Sequence, residues 1–241
     1  QASADGTNFV LSGKKTFVLD GHVAGTLIVA ARTSGENHSR DGISLFLVDS
    51  AAPGVSVLRT KMADARNAAN IEFAEVTVGA DSLLGELGHG AAVLDAGLDI
   101  ARIGLSAEML GATQECFERT VSYLKERKQF GVAIGSFQAL KHRAANMFCE
   151  IELSKSCVLE ALTALDEGRD AEEVAKLASL TKAKVGETFN LVSREGIQMH
   201  GGIGMTDEFD IGFFIKRAAV CEQTFGDVNY HRNRYGELEG Y

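Results

Sequence analysis

The chain has 241 residues, 45% of them hydrophobic and 24% charged, enough to bury one large core or two smaller ones without help from disulfides. A formal net charge of −9 sets its field against phosphate backbones and anionic lipid, which argues against nucleic acid and membrane surfaces and leaves any anionic ligand to be held by local donors. Cys116, Cys149, Cys157 and Cys221 form no CxxC pair and fall in helical patterns, so buried thiols in a reducing compartment are expected, with neither a disulfide frame nor a metal site. No apolar run approaches the length of about 18 residues that a membrane span needs, and no charged-then-apolar leader opens the sequence. The expected location is the cytoplasm.

Short β-type runs come first: Phe9 to Leu11, Thr16 to Leu19, Thr26 to Arg32, Ile43 to Val48, Val55 to Leu58 and Asn70 to Val76. Ser12-Gly13-Lys14, Asp20-Gly21, the polar stretch Ser34 to Gly42 and Pro53-Gly54 separate them as turn signals. Regular spacing of this kind predicts a small antiparallel barrel or sandwich over residues 1–88.

After Gly88-His89-Gly90 the period becomes helical and defines a second domain, 89–241. Leu94, Leu98, Ala101, Leu105, Met109, Ala112 and Cys116 form one stripe, and Phe137, Leu140, Ala144, Met147, Ile151, Val158 and Leu162 a second. A third helix carries Val174, Ala178, Thr181, Val185, Phe189 and Val192, and a fourth runs from about Ile211 with a break near Gly226. The predicted class is therefore α+β, a small β-domain followed by an antiparallel four-helix bundle. Phe148, Leu153 and Leu159 lie off the second helix's main stripe, which predicts a partner helix from another subunit.

Two motifs carry the chemistry. Glu126-Arg127-Lys128-Gln129-Phe130-Gly131, followed by Phe137-Gln138, and Gln198-Met199-His200-Gly201-Gly202-Ile203-Gly204 place an arginine, glutamines and closely approachable backbone where helices begin and end. That combination suits the pyrophosphate and adenine of a dinucleotide.

In their order these motifs resemble the acyl-CoA dehydrogenase family across essentially the whole chain. Leu11 to Phe17 is similar to its LNGxKxW strand pair, Leu84 to Gly90 to its LGxxGxG junction, Arg127 to Gly131 to RxxFG, and Gln198 to Gly204 to QxxGGxG. The resemblance implies a flavoprotein assembled as a homo- or heteromeric dimer or tetramer through the helical domain, with FAD across a subunit interface. It implies FAD contacts from Phe17, Leu19, Arg127, Gln129, Phe130, Gln138, Gln198, Gly201, Gly202, Asp227 and Asn229, and a substrate contact from Arg102. Residue 127 and the paired glycines are expected to reach one flavin from different protomers.

The implied reaction is α,β-dehydrogenation of an acyl-CoA thioester, with electron-transferring flavoprotein as the acceptor. A carboxylate removes the α-proton. In the family it sits in a YEGT segment, matched here by Thr224-Phe225-Gly226-Asp227, or within LDLER, matched by Leu98-Asp99-Ile100-Ala101-Arg102. Phe225 and Ala101 therefore stand where a base belongs, and the catalytic residue is left unassigned. Three readings stay open. The chain is a subunit of a heteromeric enzyme whose partner supplies the base, as Asp207 to Gly212 also resembles; or Glu222 or Asp227 substitutes; or the chain is a non-catalytic relative or an oxygen-using flavoenzyme. The sequence opens inside the β-domain, ahead of which the family has a helical domain and a TEPxxGSD-like segment. A piece of a longer polypeptide, binding FAD weakly or not at all by itself, is expected.

Overall fold

The computed structural model describes the backbone of residues 1–241 and every side chain but that of Asp5. Cα proximity divides the chain into two compact units, Gln1–Gly97 and Leu98–Tyr241.

In the first unit a four-stranded antiparallel sheet has the order β1-β2-β6-β5, built from β1 (Ala2–Asp5), β2 (Asn8–Leu19), β5 (Val55–Lys61) and β6 (Asn67–Val78). A three-stranded sheet has the order β3-β4-β7, from β3 (Thr26–Arg32), β4 (Ile43–Asp49) and β7 (Leu83–Leu84). Alternate residues of β3 are buried, as a strand with one face on a core requires. Leu11, Leu27, Val29, Phe46, Val48, Ile71, Phe73 and Val76, drawn from both sheets, form one apolar cluster, so the unit is a sandwich.

Two runs separated in the sequence by Ser12-Gly13-Lys14 are one strand in the structure. β2 continues through the glycine with register shifts between Leu11 and Gly13 and between Lys15 and Val18. Each shift inserts a bulge, and Gly13 accommodates the first with φ +145°. A glycine inside a strand and a glycine in a turn give the same sequence signal.

The helical unit is built by α1 (Gly90–Glu126), α2 (Gln138–Asp166), α3 (Ala171–His200), α4 (Ile211–Gln223) and α5 (Val228–Leu238). The division between units falls inside α1, beyond the expected 88/89 boundary. Gly90 sits against β4, where a Cβ would lie 3.0 Å from the Ile43 carbonyl, and Asp95 pairs with Arg40, so the first turns of α1 belong with the sandwich. Asp170 caps α3 by accepting from the Glu172 and Glu173 amides, and Asp227 caps α5 by accepting from the Tyr230 amide. The buried stripe of α3, Ala178, Thr181, Val185, Phe189 and Val192, follows the predicted period. No helix is long and apolar enough to cross a membrane, and among the described residues no cluster of His, Cys, Asp or Glu could hold a metal ion. Cys116 and Cys221 are buried, Cys157 is half-buried and Cys149 is exposed. Burial pushes the Cys116 thiol up to about 12, which leaves it inert.

Candidate functional site

Arg127 follows the last residue of α1, and the backbone then turns into a hairpin of β8 (Lys128–Gln129) and β9 (Val132–Ala133). Phe130 at φ +54° and Gly131 at φ +81° form its two-residue turn; two successive left-handed residues match the twist of the flanking strands. This turn projects Phe130 outward, 89% exposed, with only an edge-on contact to Phe137 at 6.1 Å. Arg127 is exposed, and among the described residues its guanidinium has no ion-pair partner. Gln129 is exposed on the hairpin, and Gln138, also exposed, opens α2.

The glycine loop caps the other helix end. α3 stops at His200, Gly201 takes φ +66° and donates its amide to the Gln198 carbonyl, and a 3-10 turn continues over Gly201–Met205. A Cβ at Gly201 or Gly202 would meet nothing within 4 Å, so the backbone there faces open space. Gly204 differs: it is buried, and a Cβ would lie 2.7 Å from the Ile197 carbonyl.

Tyr123 ties the two motifs together. One turn before Arg127, its ring stacks on His200 at 4.2 Å and its hydroxyl donates to the His200 carbonyl at 3.2 Å. His200 donates from Nδ1 to the Gly196 carbonyl at 2.7 Å, its Nε2 is buried without a partner, and burial lowers its pKa. It serves as the floor beneath the loop. The hairpin and the glycine loop therefore lie at one end of the bundle of a single chain.

A second constellation surrounds Thr224–Asp227. Phe225 at φ +60° and Gly226 at φ +108° turn the chain sharply between α4 and α5. The Phe225 ring packs with Leu105, Met109, Val185, Phe189 and Ala218. Its carbonyl accepts from Arg102 Nε and His231 Nε2, each at 3.1 Å. Arg102, expected against substrate, is instead 4% exposed: Nη1 donates to Asp99 at 2.8 Å and Nη2 to the Tyr230 hydroxyl at 3.3 Å. These bonds tie it to the Phe225 backbone, Asp99 and Tyr230. Asp99 also accepts two bonds from Arg234, at 2.7 and 2.8 Å. Buried His231 is held neutral, its pKa pushed down to about 4 by burial, then by nearby Lys182 and Arg102. Ala101 is half-buried on α1.

Glu222 looks elsewhere. Its carboxylate accepts from Asn190 at 3.2 Å and lines an open groove of about 480 Å³ with Glu187, Arg194, Asn229 and Arg232, a groove that Phe225 does not line. In the β-unit, Phe17 sits at the second bulge of β2 with φ +51° and is 64% exposed, its amide donating to Asn70 Oδ1 at 3.2 Å. Leu19, at the end of β2, is also exposed. Asp99, Tyr123, Lys182, His231 and Arg234 were not anticipated. Only Lys182 left a trace, as a cation one residue off the buried stripe of α3.

Comparison with known proteins places these features in a family. Residues 88–238 match the model of the acyl-CoA dehydrogenase C-terminal domain, and residues 1–76 that of the middle domain. The chain is 30% identical over 236 residues, 97% of its length, to the short/branched chain specific acyl-CoA dehydrogenase of Bos taurus mitochondria, of which it covers 54%. The acyl-CoA dehydrogenase of Geobacillus kaustophilus superimposes with a TM-score of 0.94 at 27% identity, over 100% of this chain and 63% of that one. The Tcur3481-Tcur3483 steroid ACAD G363A variant does so with a TM-score of 0.85 at 33% identity, over 99% and 61%. The chain thus spans about half the length of the Bos taurus relative. With two family models covering both units in order, the chain belongs to the acyl-CoA dehydrogenase family.

Proposed function

We propose that the chain forms the FAD-holding part of an acyl-CoA dehydrogenase, acting on a thioester of coenzyme A and passing electrons to an electron-transferring flavoprotein. The observation that carries this reading is the shared end of the bundle, where an unpaired Arg127, an 89% exposed Phe130 and the open backbone of Gly201-Gly202 are linked through Tyr123 and His200.

The fit to a flavin dinucleotide rests on the same features. Arg127 would donate two parallel bonds to a pyrophosphate, keeping its charge as water leaves. Phe130 would give up its exposure against a flat or ribityl surface, and Gly201-Gly202 would let the backbone approach where any side chain would intervene. Gln129, Gln138 and Gln198 supply donors and acceptors around adenosine and phosphates, and Asp227 and Asn229 contribute from the start of α5. On this reading residue 127 and the glycines act from one protomer on one ligand. FAD, when bound, supplies the acceptor for the β-hydride.

The proton side of the reaction is where this chain departs. Phe225 cannot take a proton, and Ala101 cannot replace it. Glu222 faces the groove of Asn190 and Asn229, supported there by an amide donor. A base from a partner chain is therefore the reading we favour, in a dimer or tetramer formed through the helical unit; exposed Phe148, Leu153 and Leu159 on α2 support such an assembly. A FAD-binding subunit without chemistry of its own is the second reading, favoured by the packed Phe225 ring. Four free cysteines support the cytoplasm as its compartment. Anaerobic addition of acyl-CoA to the flavin-loaded chain, with and without a carboxylate-bearing family member, tests both. Bleaching only in the mixture supports the shared site, bleaching by the chain alone rejects the missing base, and no bleaching in either rejects the enzyme.

A further inference from the structure

Lys182 lies on α3 between the buried positions Ala178 and Val185 and is only 1% exposed. Among the described residues no carboxylate pairs with it. Its Nζ donates instead to two backbone carbonyls, Gly226 at 2.9 Å and Glu222 at 3.3 Å. These carbonyls flank Phe225. Glu222 belongs to the last turn of α4, where carbonyls lack helical partners, and Gly226 belongs to the loop itself. With Arg102 and His231 on the Phe225 carbonyl, three donors from α3, α1 and α5 converge on one short stretch of backbone. The stretch is also cramped: a Cβ at Gly226 would lie 2.3 Å from the Tyr230 ring.

We propose that Lys182 is a positioning residue for the loop Thr224–Asp227, fixing the direction in which the side chain at 225 projects by donating to carbonyls on both sides of it. That 225 is the place of the catalytic carboxylate rests on the function proposed above; the grip on the loop does not. A buried ammonium with only carbonyl acceptors is costly to maintain unless its bonds do something an apolar residue could not. Burial pushes the Lys182 pKa down to about 8. Cys221, Glu222 and Asp227 face it and favour its charge, and Arg102 opposes it; His231, also nearby, is neutral in this pH range. The strength of the grip therefore changes as the ammonium becomes an amine.

The experiment is an NMR titration of the full chain, following the Lys182 side chain together with the backbone carbonyl carbons of Glu222 and Gly226. Both carbonyls are expected to shift with the midpoint of the lysine, near pH 8. Lys182→Met is expected to remove both shifts and to speed amide exchange about ten-fold at Tyr230 and His231, whose amides donate to Asp227. Val158→Ala, a core truncation in the same unit, should speed these amides no more than the rest of the bundle. Carbonyl shifts that ignore the lysine midpoint, or unchanged exchange in Lys182→Met, overturn the proposal. If Lys182→Met fails to fold, the titration of the unaltered chain decides. Because neither flavin nor acyl-CoA is present, a chain that binds no flavin leaves this result standing, and failure here leaves flavin binding untouched.

Discussion

Replacing Asp99 by asparagine tests the support beneath the loop that carries residue 225. Asp99 and Arg102 are each 4% exposed, and the carboxylate accepts three charge-assisted bonds, one from Arg102 and two from Arg234. Asparagine keeps the shape, retains one acceptor oxygen and turns an NH2 toward donors. Two guanidiniums, that of buried Arg102 and that of half-buried Arg234, then remain without their anion. Removing one partner from a buried pair costs about 3–5 kcal/mol, because the other charge is left uncompensated. For a chain of this length that lowers the melting temperature by roughly 6–20 °C. Urea unfolding followed by circular dichroism at 222 nm should show the midpoint falling with an unchanged slope. A double-mutant cycle with Arg234→Met should give a coupling above about 1 kcal/mol. A loss below about 1 kcal/mol, with no coupling, would refute the account of this network as what holds α1, α3 and α5 to the loop.

His231 supplies a pH dependence. Its folded pKa of about 4 lies below the ordinary 6.5, so between these values the unfolded chain takes up a proton that the fold excludes. Stability should fall as pH drops from 6.5 to 4, by up to about 3 kcal/mol, and His231→Gln should flatten this slope; an unaltered slope would assign it to other groups. Gly204→Ala forces a Cβ to 2.7 Å from the Ile197 carbonyl and should cost about 1–3 kcal/mol in thermal melts, whereas Gly202→Ala, facing open space, should cost less than about 0.5. Phe225→Glu in the flavin-loaded protein should bring the anaerobic bleaching by acyl-CoA that the proposed reading expects the unaltered chain not to show. Bound flavin that stays oxidised would count against the missing base.

How much of this was legible in the sequence follows from range. Periodic elements announced themselves, since the α3 stripe from Ala178 to Val192 and the alternation in β3 are local consequences of one buried face. The strands of two residues, β7, β8 and β9, are too short to show a period. For the hairpin, Phe130-Gly131 was a turn signal read only as part of a motif. The glycine loop was visible as a helix end, which Gly-Gly commonly marks, and only the upstream motif suggested a ligand there. The network of Asp99, Arg102, Lys182, His231 and Arg234 was not, because its members are distant in the chain and a charged residue on a helix ordinarily reads as solvated. Arg102 shows the consequence: its family position suggested substrate, while its partners are Asp99, Phe225 and Tyr230.

The central claim is that Arg127 and Gly201-Gly202 hold one flavin dinucleotide. Titration of FAD and of FMN, followed by flavin fluorescence, against the unaltered chain, Arg127→Ala and Gly202→Ala tests it most directly. The account predicts FAD affinity weakened about ten-fold or more in both variants, with FMN, which lacks the pyrophosphate and adenosine, bound alike by the chain and Arg127→Ala. Equal FAD affinity in all three proteins would contradict it.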